Sequence, residues 1–129
     1  SVKMGDNAEI TDCSTENENY GGGVYVDSAT CTFEMSGSAK VTVSTGVDKN
    51  ENGANEIFLK DGVIKVTGTL TAGNGQAGRI SVMSSKYETS TEVLTGDNLP
   101  TNSGKFRVTK QKIPNQAWKV SPSGKLQKN

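Results

Sequence analysis

A repeat of 31 residues constrains the fold of this chain more than any other feature of its sequence. Residues 1–13, SVKMGDNAEITDC, align with residues 32–44, TFEMSGSAKVTVS, and their apolar positions match at a constant offset of 31. The matched pairs are Val2 with Phe33, Met4 with Met35, Ala8 with Ala39, and Ile10 with Val41. Internal repeats of this length are typical of solenoid architectures.

Each repeat unit contains short segments in which apolar and polar residues alternate, which is the pattern of half-buried β-strands. The predicted strands are residues 23–26, 32–35 and 40–43 in one unit, and residues 56–59, 63–70 and 79–83 in the next. Three short strands per unit and no helical periodicity favour an all-β right-handed parallel β-helix of roughly three rungs. An antiparallel sandwich remains the alternative.

In such a solenoid, equivalent residues of successive units stack about 4.8 Å apart. The predicted inward columns are Val2, Phe33 and Ile64; Met4, Met35 and Val66; and Ile10, Val41 and Ile80. Met35 is therefore expected in the core between Met4 and Val66. On the opposite face, Lys3, Glu34 and Lys65 are expected to stack with alternating charge.

We predict that residues 1–96 form the rungs and that residues 97–129 form an irregular C-terminal cap of the same domain. Pro100, Pro114 and Pro122 interrupt the repeat in this last segment. Trp118, with Val120 and Leu126, is expected to cover the final rung, because an uncapped solenoid exposes core and backbone.

Composition excludes several classes of function. Lys plus Arg and Asp plus Glu each number 14, so no basic excess favours nucleic acid and no polybasic run favours a membrane surface. Histidine, the commonest general base, is absent. Basic residues do gather near the C-terminus, where we favour solubilising charge on a sheet face, with a binding patch as the alternative: Lys105, Arg107, Lys110, Lys112, Lys119, Lys125 and Lys128.

The segments GGGVYV, TFEMSG, NEIFL, VIKVTGTLT, GRISV, YETSTEVLTGD, KFRV and WKVSPSGKLQKN follow one another along the chain. In this order they resemble the C-terminal part of bacterial surface β-helix repeat proteins of the spirochaete type, which are distantly similar to autotransporter passengers. The resemblance covers residues 2–128 and implies a secreted or cell-surface location and an adhesive or structural role. It carries over no catalytic residue, because the shared positions are glycines and core residues.

Two motifs resemble known binding loops, one for phosphate and one for calcium. Residues 21–23 are glycines, but a strand follows them instead of a helix, so we interpret them as a tight corner and not as a phosphate loop. Asp48, Asn50 and Asn52 have the spacing of a calcium loop, yet Leu59 stands where the last acidic ligand is expected. We therefore favour a polar turn there, with a calcium-stiffened solenoid as the alternative.

The candidate reactive side chains are few. Asp6, Glu9 and Asp12, or Glu88 with Glu92, could serve as paired carboxylates for polysaccharide cleavage. Met83-Ser84-Ser85 has no histidine to activate a serine. Cys31 is expected to face inward on the strand that carries Phe33. Cys31 and Cys13 are expected at different corners, as free thiols.

The sequence thus predicts a non-enzymatic, extracellular or cell-surface structural or adhesive module, with no catalytic, cofactor-binding or metal-binding residue. Its partner would be a host protein or a glycan. The alternative is a polysaccharide-binding or polysaccharide-cleaving protein. An open first rung, residues 1–13, is further expected to support weak head-to-head self-association.

Overall fold

The computed structural model describes residues 1–11, 23–42 and 57–129 of the chain. Short strands dominate these residues, together with one short α-helix and two 3-10 turns at Ser84–Lys86 and Ser103–Lys105. In chain order the elements are β1 (Val2–Met4), β2 (Glu9–Thr11), β3 (Val24–Val26), β4 (Phe33–Ser36), β5 (Lys40–Thr42), β6 (Ile57–Leu59), β7 (Ile64–Thr67), β8 (Gly78–Val82), β9 (Leu94–Gly96), α1 (Leu99–Asn102), β10 (Phe106–Val108), β11 (Trp118–Val120) and β12 (Leu126–Lys128).

The first sheet is parallel and has the strand order β1-β4-β7-β9. Its ladder follows the repeat, because each strand pairs in register with the strand one unit away. The register of two predicted columns is confirmed here: Val2, Phe33 and Ile64, and Met4, Met35 and Val66. Burial is not confirmed for Val2, which is 58% exposed because β1 is the outermost strand of the sheet. Leu94 in β9 extends the first of these columns by one more strand.

The second sheet has the order β2-β5-β8-β6-β3, and β10 also pairs with β8. β8 pairs with β5 through Gly78 opposite Val41, and with β6 through Ile80 opposite Ile57. The predicted column of Ile10, Val41 and Ile80 is therefore wrong at its third member, although Ile10 does lie opposite Val41.

The prediction of an all-β right-handed parallel β-helix of roughly three rungs is wrong. In that solenoid each strand of a unit belongs to a separate sheet, whereas β8 joins the third strand of the preceding unit and the first strand of its own unit. Five residues make β8 long enough to reach both neighbours, so the strands merge into one curled, half-barrel-like parallel sheet. Helix α1 and the antiparallel β11–β12 hairpin depart further from the expected class. An antiparallel sandwich does not form either, since the two larger sheets are parallel.

Alternation along the strands places one hydrophobic core between the two parallel sheets. In β7, Ile64 and Val66 are buried while Lys65 and Thr67 are exposed. Met35 is completely buried, as predicted. The strand predicted over residues 63–70 ends earlier, at Thr67, because Gly68 turns the chain with a φ of 71°.

The C-terminal segment closes one end of this core. The turn of the β11–β12 hairpin lies across β9, where the carbonyl of Gly124 accepts hydrogen bonds from the N–H groups of Val93 and Leu94. Trp118, Val120 and Leu126 are buried in the core cluster, as predicted for a covering segment. β10, within residues 97–129, pairs with β8 of the preceding segment, and the proposed boundary at residue 97 stays a prediction.

The inward placement predicted for Cys31 is wrong, since the residue is an exposed free thiol. The alternation of β4 does not reach it, because the N–H of Cys31 bonds to the carbonyl of Ser28 in a turn, and the strand begins only at Phe33. The predictions for Asp12, Cys13, Gly21, Gly22 and the possible calcium turn at residues 48–53 lie outside the described residues.

Candidate functional site

The predicted carboxylate pairs occupy two different settings. Glu9 projects from β2 and forms an ion pair with Lys40, at 3.5 Å between Nζ and Oε1. Asp6 lies in the turn after β1, where its backbone carbonyl accepts hydrogen bonds from the N–H and hydroxyl of Ser38. Glu9 is thus engaged with a cation on the neighbouring strand.

Glu88 and Glu92 do come together along one groove of about 340 Å³, which also contains Asp61 and Lys86. Both glutamates are exposed, and an ion pair of 3.9 Å joins Lys86 to Asp61. A general acid in glycoside cleavage depends on an environment that raises the pKa of its carboxyl group, usually an apolar one. Solvent-exposed glutamates in a mixed-charge groove lack that apolar setting.

The predicted charge ladder on the outer face of the first sheet is present. Glu34 lies opposite both Lys3 and Lys65, and Lys3 Nζ is 3.9 Å from Glu34 Oε2. A hydrogen bond from the Thr67 hydroxyl lowers the pKa of Glu34, and the two lysines lower it further. Such exposed ion pairs contribute little to stability.

A more distinctive feature is a groove of about 280 Å³ between β10 and the β11–β12 hairpin. Four cationic side chains line this basic groove, together with two aromatic residues. They are Arg79, Arg107, Lys110, Lys119, Phe106 and Trp118. The lining contains no aspartate or glutamate side chain.

The pairing of β10 with β8 positions the two arginines. Arg107 lies directly opposite Arg79 in the parallel ladder, although 28 residues separate them in sequence. Arg79 is only 7% exposed, whereas Arg107 is exposed. The Cγ of Arg107 lies 3.1 Å from the position that a Cβ on Gly75 would occupy, so the arginine stem packs over a residue that has no side chain.

The hairpin wall of the basic groove is rigidly held. Trp118 is buried, and its indole N–H donates to Gln111 Oε1 at 3.0 Å. Its ring lies 6.0 Å from that of Tyr87, whose hydroxyl donates to the carbonyl of Thr109 at 2.8 Å. Burial raises the pKa of Tyr87, so this hydroxyl stays protonated and able to donate well above neutral pH. The aromatic rings therefore shape the groove without offering a free face.

The chemistry that fits this arrangement is the binding of an anionic group. Guanidinium groups bind carboxylate, sulfate and phosphate oxygens through paired hydrogen bonds, and lysines add charge around them. The lining has four cationic side chains and no acidic side chain, so the charge that its side chains present is positive.

The sequence pattern showed the C-terminal basic residues, and we favoured solubilising charge over a binding patch for them. It did not connect them to Arg79, which the β8–β10 pairing brings to them. An offset of 31 residues would have matched Arg79 with Lys110, whereas an offset of 28 matches the segment GRISV with KFRV and places Arg107 beside Arg79.

No protein-family model, curated protein or solved structure matches this chain. Within the described ranges, no helix is both long and apolar enough to span a membrane. The same residues contain no group of three or more Asp, Glu, Cys or His side chains that could hold a metal ion.

Proposed function

We propose that this protein is a non-enzymatic, extracellular binding module that holds an acidic glycan through the basic groove. The observation that carries the proposal is the convergence of Arg79, Arg107 and Lys119 in a groove whose lining has no acidic side chain. The resemblance to bacterial surface repeat proteins supports an extracellular location and an adhesive role.

The buried aromatic residues favour a glycan over a nucleic acid. Proteins that bind single-stranded nucleic acid stack bases on exposed aromatic rings. Trp118 and Phe106 are each only 5% exposed, so they offer no such platform. A polymer that carries sulfate or carboxylate groups on its sugars needs only the cationic side chains that the groove supplies.

Binding of heparin, hyaluronan and neutral dextran should be measured by calorimetry at low and high salt. We expect the two acidic glycans to bind and dextran not to bind, with affinity falling as salt screens the charges. Replacing both Arg107 and Lys119 with glutamine should weaken binding by about tenfold, equivalent to about 1.4 kcal/mol.

The matched control replaces Lys60 and Lys86 with glutamine, which removes the same charge from the groove that contains Glu88 and Glu92. This control should bind acidic glycans like the parent protein. Equal losses in the two double variants would show that net charge, and not the basic groove, causes the attraction. Tighter binding of single-stranded DNA than of heparin would also overturn the glycan proposal.

Polysaccharide cleavage is a second candidate because Glu88 and Glu92 share a groove. It requires the release of new reducing or unsaturated sugar ends from acidic or neutral glycans. This release should disappear in the Glu88→Gln variant. The absence of turnover with a broad panel of polysaccharides would remove this candidate and leave the binding proposal intact.

A further inference from the structure

The two ends of the stacked strands differ in their unpaired strand edges, in their exposed apolar side chains and in their charge. At the N-terminal end, β1 is the outermost strand of the first sheet, while β2 and β3 are the two outermost strands of the curled sheet. No strand in the described part of the chain pairs with the outer edges of these three strands. Such edges are templates for pairing with another chain.

These three strands surround an apolar groove of about 420 Å³. Val2, Ile10, Val24, Tyr25 and Phe33 contribute to its lining. Val2 is 58% exposed and Tyr25 is 36% exposed, so both rank among the large hydrophobic residues that the described chain leaves open to solvent. Burial of this surface would favour association.

The opposite end carries the antiparallel β11–β12 hairpin. Its side chains Lys119, Lys125 and Lys128 are exposed, while Trp118 and Leu126 point into the core. The C-terminal end thus presents a covered core and a cationic outer surface.

Charge is divided between the same two ends. The described residues 1–11 and 23–42 contain four Asp and Glu against two Lys, whereas residues 97–129 contain seven Lys and Arg against one Asp. A head-to-head contact would bring two acidic ends together. A head-to-tail contact would place the acidic end of one copy against the basic end of the next.

We propose that copies of this chain associate head to tail, with the N-terminal end of one copy against the hairpin of another. The contact would bury Val2 and Tyr25 and would pair the acidic end with Lys125 and Lys128. Because the two surfaces differ, the contact is heterologous and generates rings or open filaments. The proposal does not depend on glycan binding, since Lys125 and Lys128 lie outside the basic groove.

Two variants, each blocked at one end, test this arrangement. The head-blocked variant combines Val2→Lys with Asp6→Asn. Asn suits position 6, where φ is 50°, because asparagine tolerates the left-handed region. The tail-blocked variant combines Lys125→Glu with Lys128→Glu. Circular dichroism confirms that each variant is folded before its association is measured.

Sedimentation velocity is then recorded from micromolar to millimolar concentration. The parent protein should form dimers and longer assemblies, and high salt should weaken its association by about tenfold. Each blocked variant should remain monomeric alone. An equimolar mixture of the two should form dimers only, because one intact head and one intact tail remain.

Two outcomes would overturn the proposal. Dimers of the tail-blocked variant by itself would indicate a head-to-head contact. A parent protein that stays monomeric at low salt over the whole concentration range would exclude association through either end. Both outcomes leave the glycan measurements unaffected, so this proposal and the proposed function fail separately.

Discussion

The side-chain oxygen of Asn102 accepts a hydrogen bond from the backbone N–H of Leu70 at 2.9 Å, and both residues are buried. The amide nitrogen of Asn102 donates to the carbonyls of Gly68 and Asp97. One side chain from α1 thus satisfies backbone groups of the turn after β7 and of the turn after β9. A buried polar group that loses its partner costs far more than a hydrogen bond contributes.

Replacing Asn102 with alanine should therefore lower the free energy of unfolding by about 2–3 kcal/mol, because the buried N–H of Leu70 and two partly buried carbonyls lose their partner. Urea denaturation provides the measurement. The control is Asn115→Ala, at an exposed position, which should stay within about 0.5 kcal/mol of the parent. Equal effects at the two positions would contradict a structural role for the Asn102 bonds.

Met35 is the central member of a confirmed column, between Met4 and Val66, and is completely buried. Met35→Ala should cost about 2–5 kcal/mol, since the strands on both sides restrict collapse of the cavity. Met83→Ala is the matched control, because Met83 is 41% exposed and loses little packing. Thermal unfolding of the two variants compares them, and a Met35 variant as stable as the Met83 variant would show that the register is wrong.

Gly96 and Gly68 allow two costs of a side chain at a turn to be compared: the strain of a positive φ, and a clash of the new Cβ with neighbouring backbone. Gly96 has a φ of 111°, and a Cβ there would lie only 2.1 Å from the carbonyl oxygen of Val66, whereas a Cβ at Gly68 would meet nothing within 4 Å. Gly68→Ala should therefore cost only the strain of a positive φ, about 1–2 kcal/mol. Gly96→Ala should lower the free energy of unfolding by more than Gly68→Ala does, because the backbone of β7 at Val66 must move. Chemical denaturation measures the stability of both variants. Equal denaturation midpoints would contradict the expected difference between them.

The outer-face carboxylate Glu34 provides a test of the charge ladder. Its pKa is lowered first by the Thr67 hydroxyl and then by Lys3 and Lys65. A carboxyl group whose folded-state pKa lies below its unfolded value stabilises the protein above the unfolded pKa. This contribution is lost as the pH falls through the folded-state pKa.

Thr67→Val should raise the pKa of Glu34 toward its ordinary value, and Lys3→Gln should raise it less. An NMR titration that follows the side-chain carboxyl carbon of Glu34 measures this pKa in each variant. The acid limb of the stability curve should move to higher pH in the Thr67 variant. A larger shift from Lys3→Gln than from Thr67→Val would mean that charge, and not the hydrogen bond, dominates.

Local sequence pattern predicted most of the strands of the first sheet and their register. The offset of 31 residues correctly aligned β1 with β4 and β4 with β7, because buried alternation makes a one-residue slip exchange the inner and outer faces. In the structure, β3 pairs with β6 at an offset of 33 residues, with Val24 opposite Ile57. The alternation wrongly predicted an inward Cys31, because a turn interrupts the strand there. It also wrongly predicted Ile80 as the partner of Val41, which lies opposite Gly78 because β8 is longer than β5.

The sequence by itself determined which residues pair across the first sheet and which of their side chains face the core, since both follow from a repeat of alternating apolar residues. Only the tertiary structure decided how the sheets join and where the basic groove lies. β8 reaches two strands at once and curls the sheet, and the β8–β10 pairing places Arg107 opposite Arg79. These contacts depend on strand length and on the path of the chain between repeats, which hydrophobic alternation does not encode.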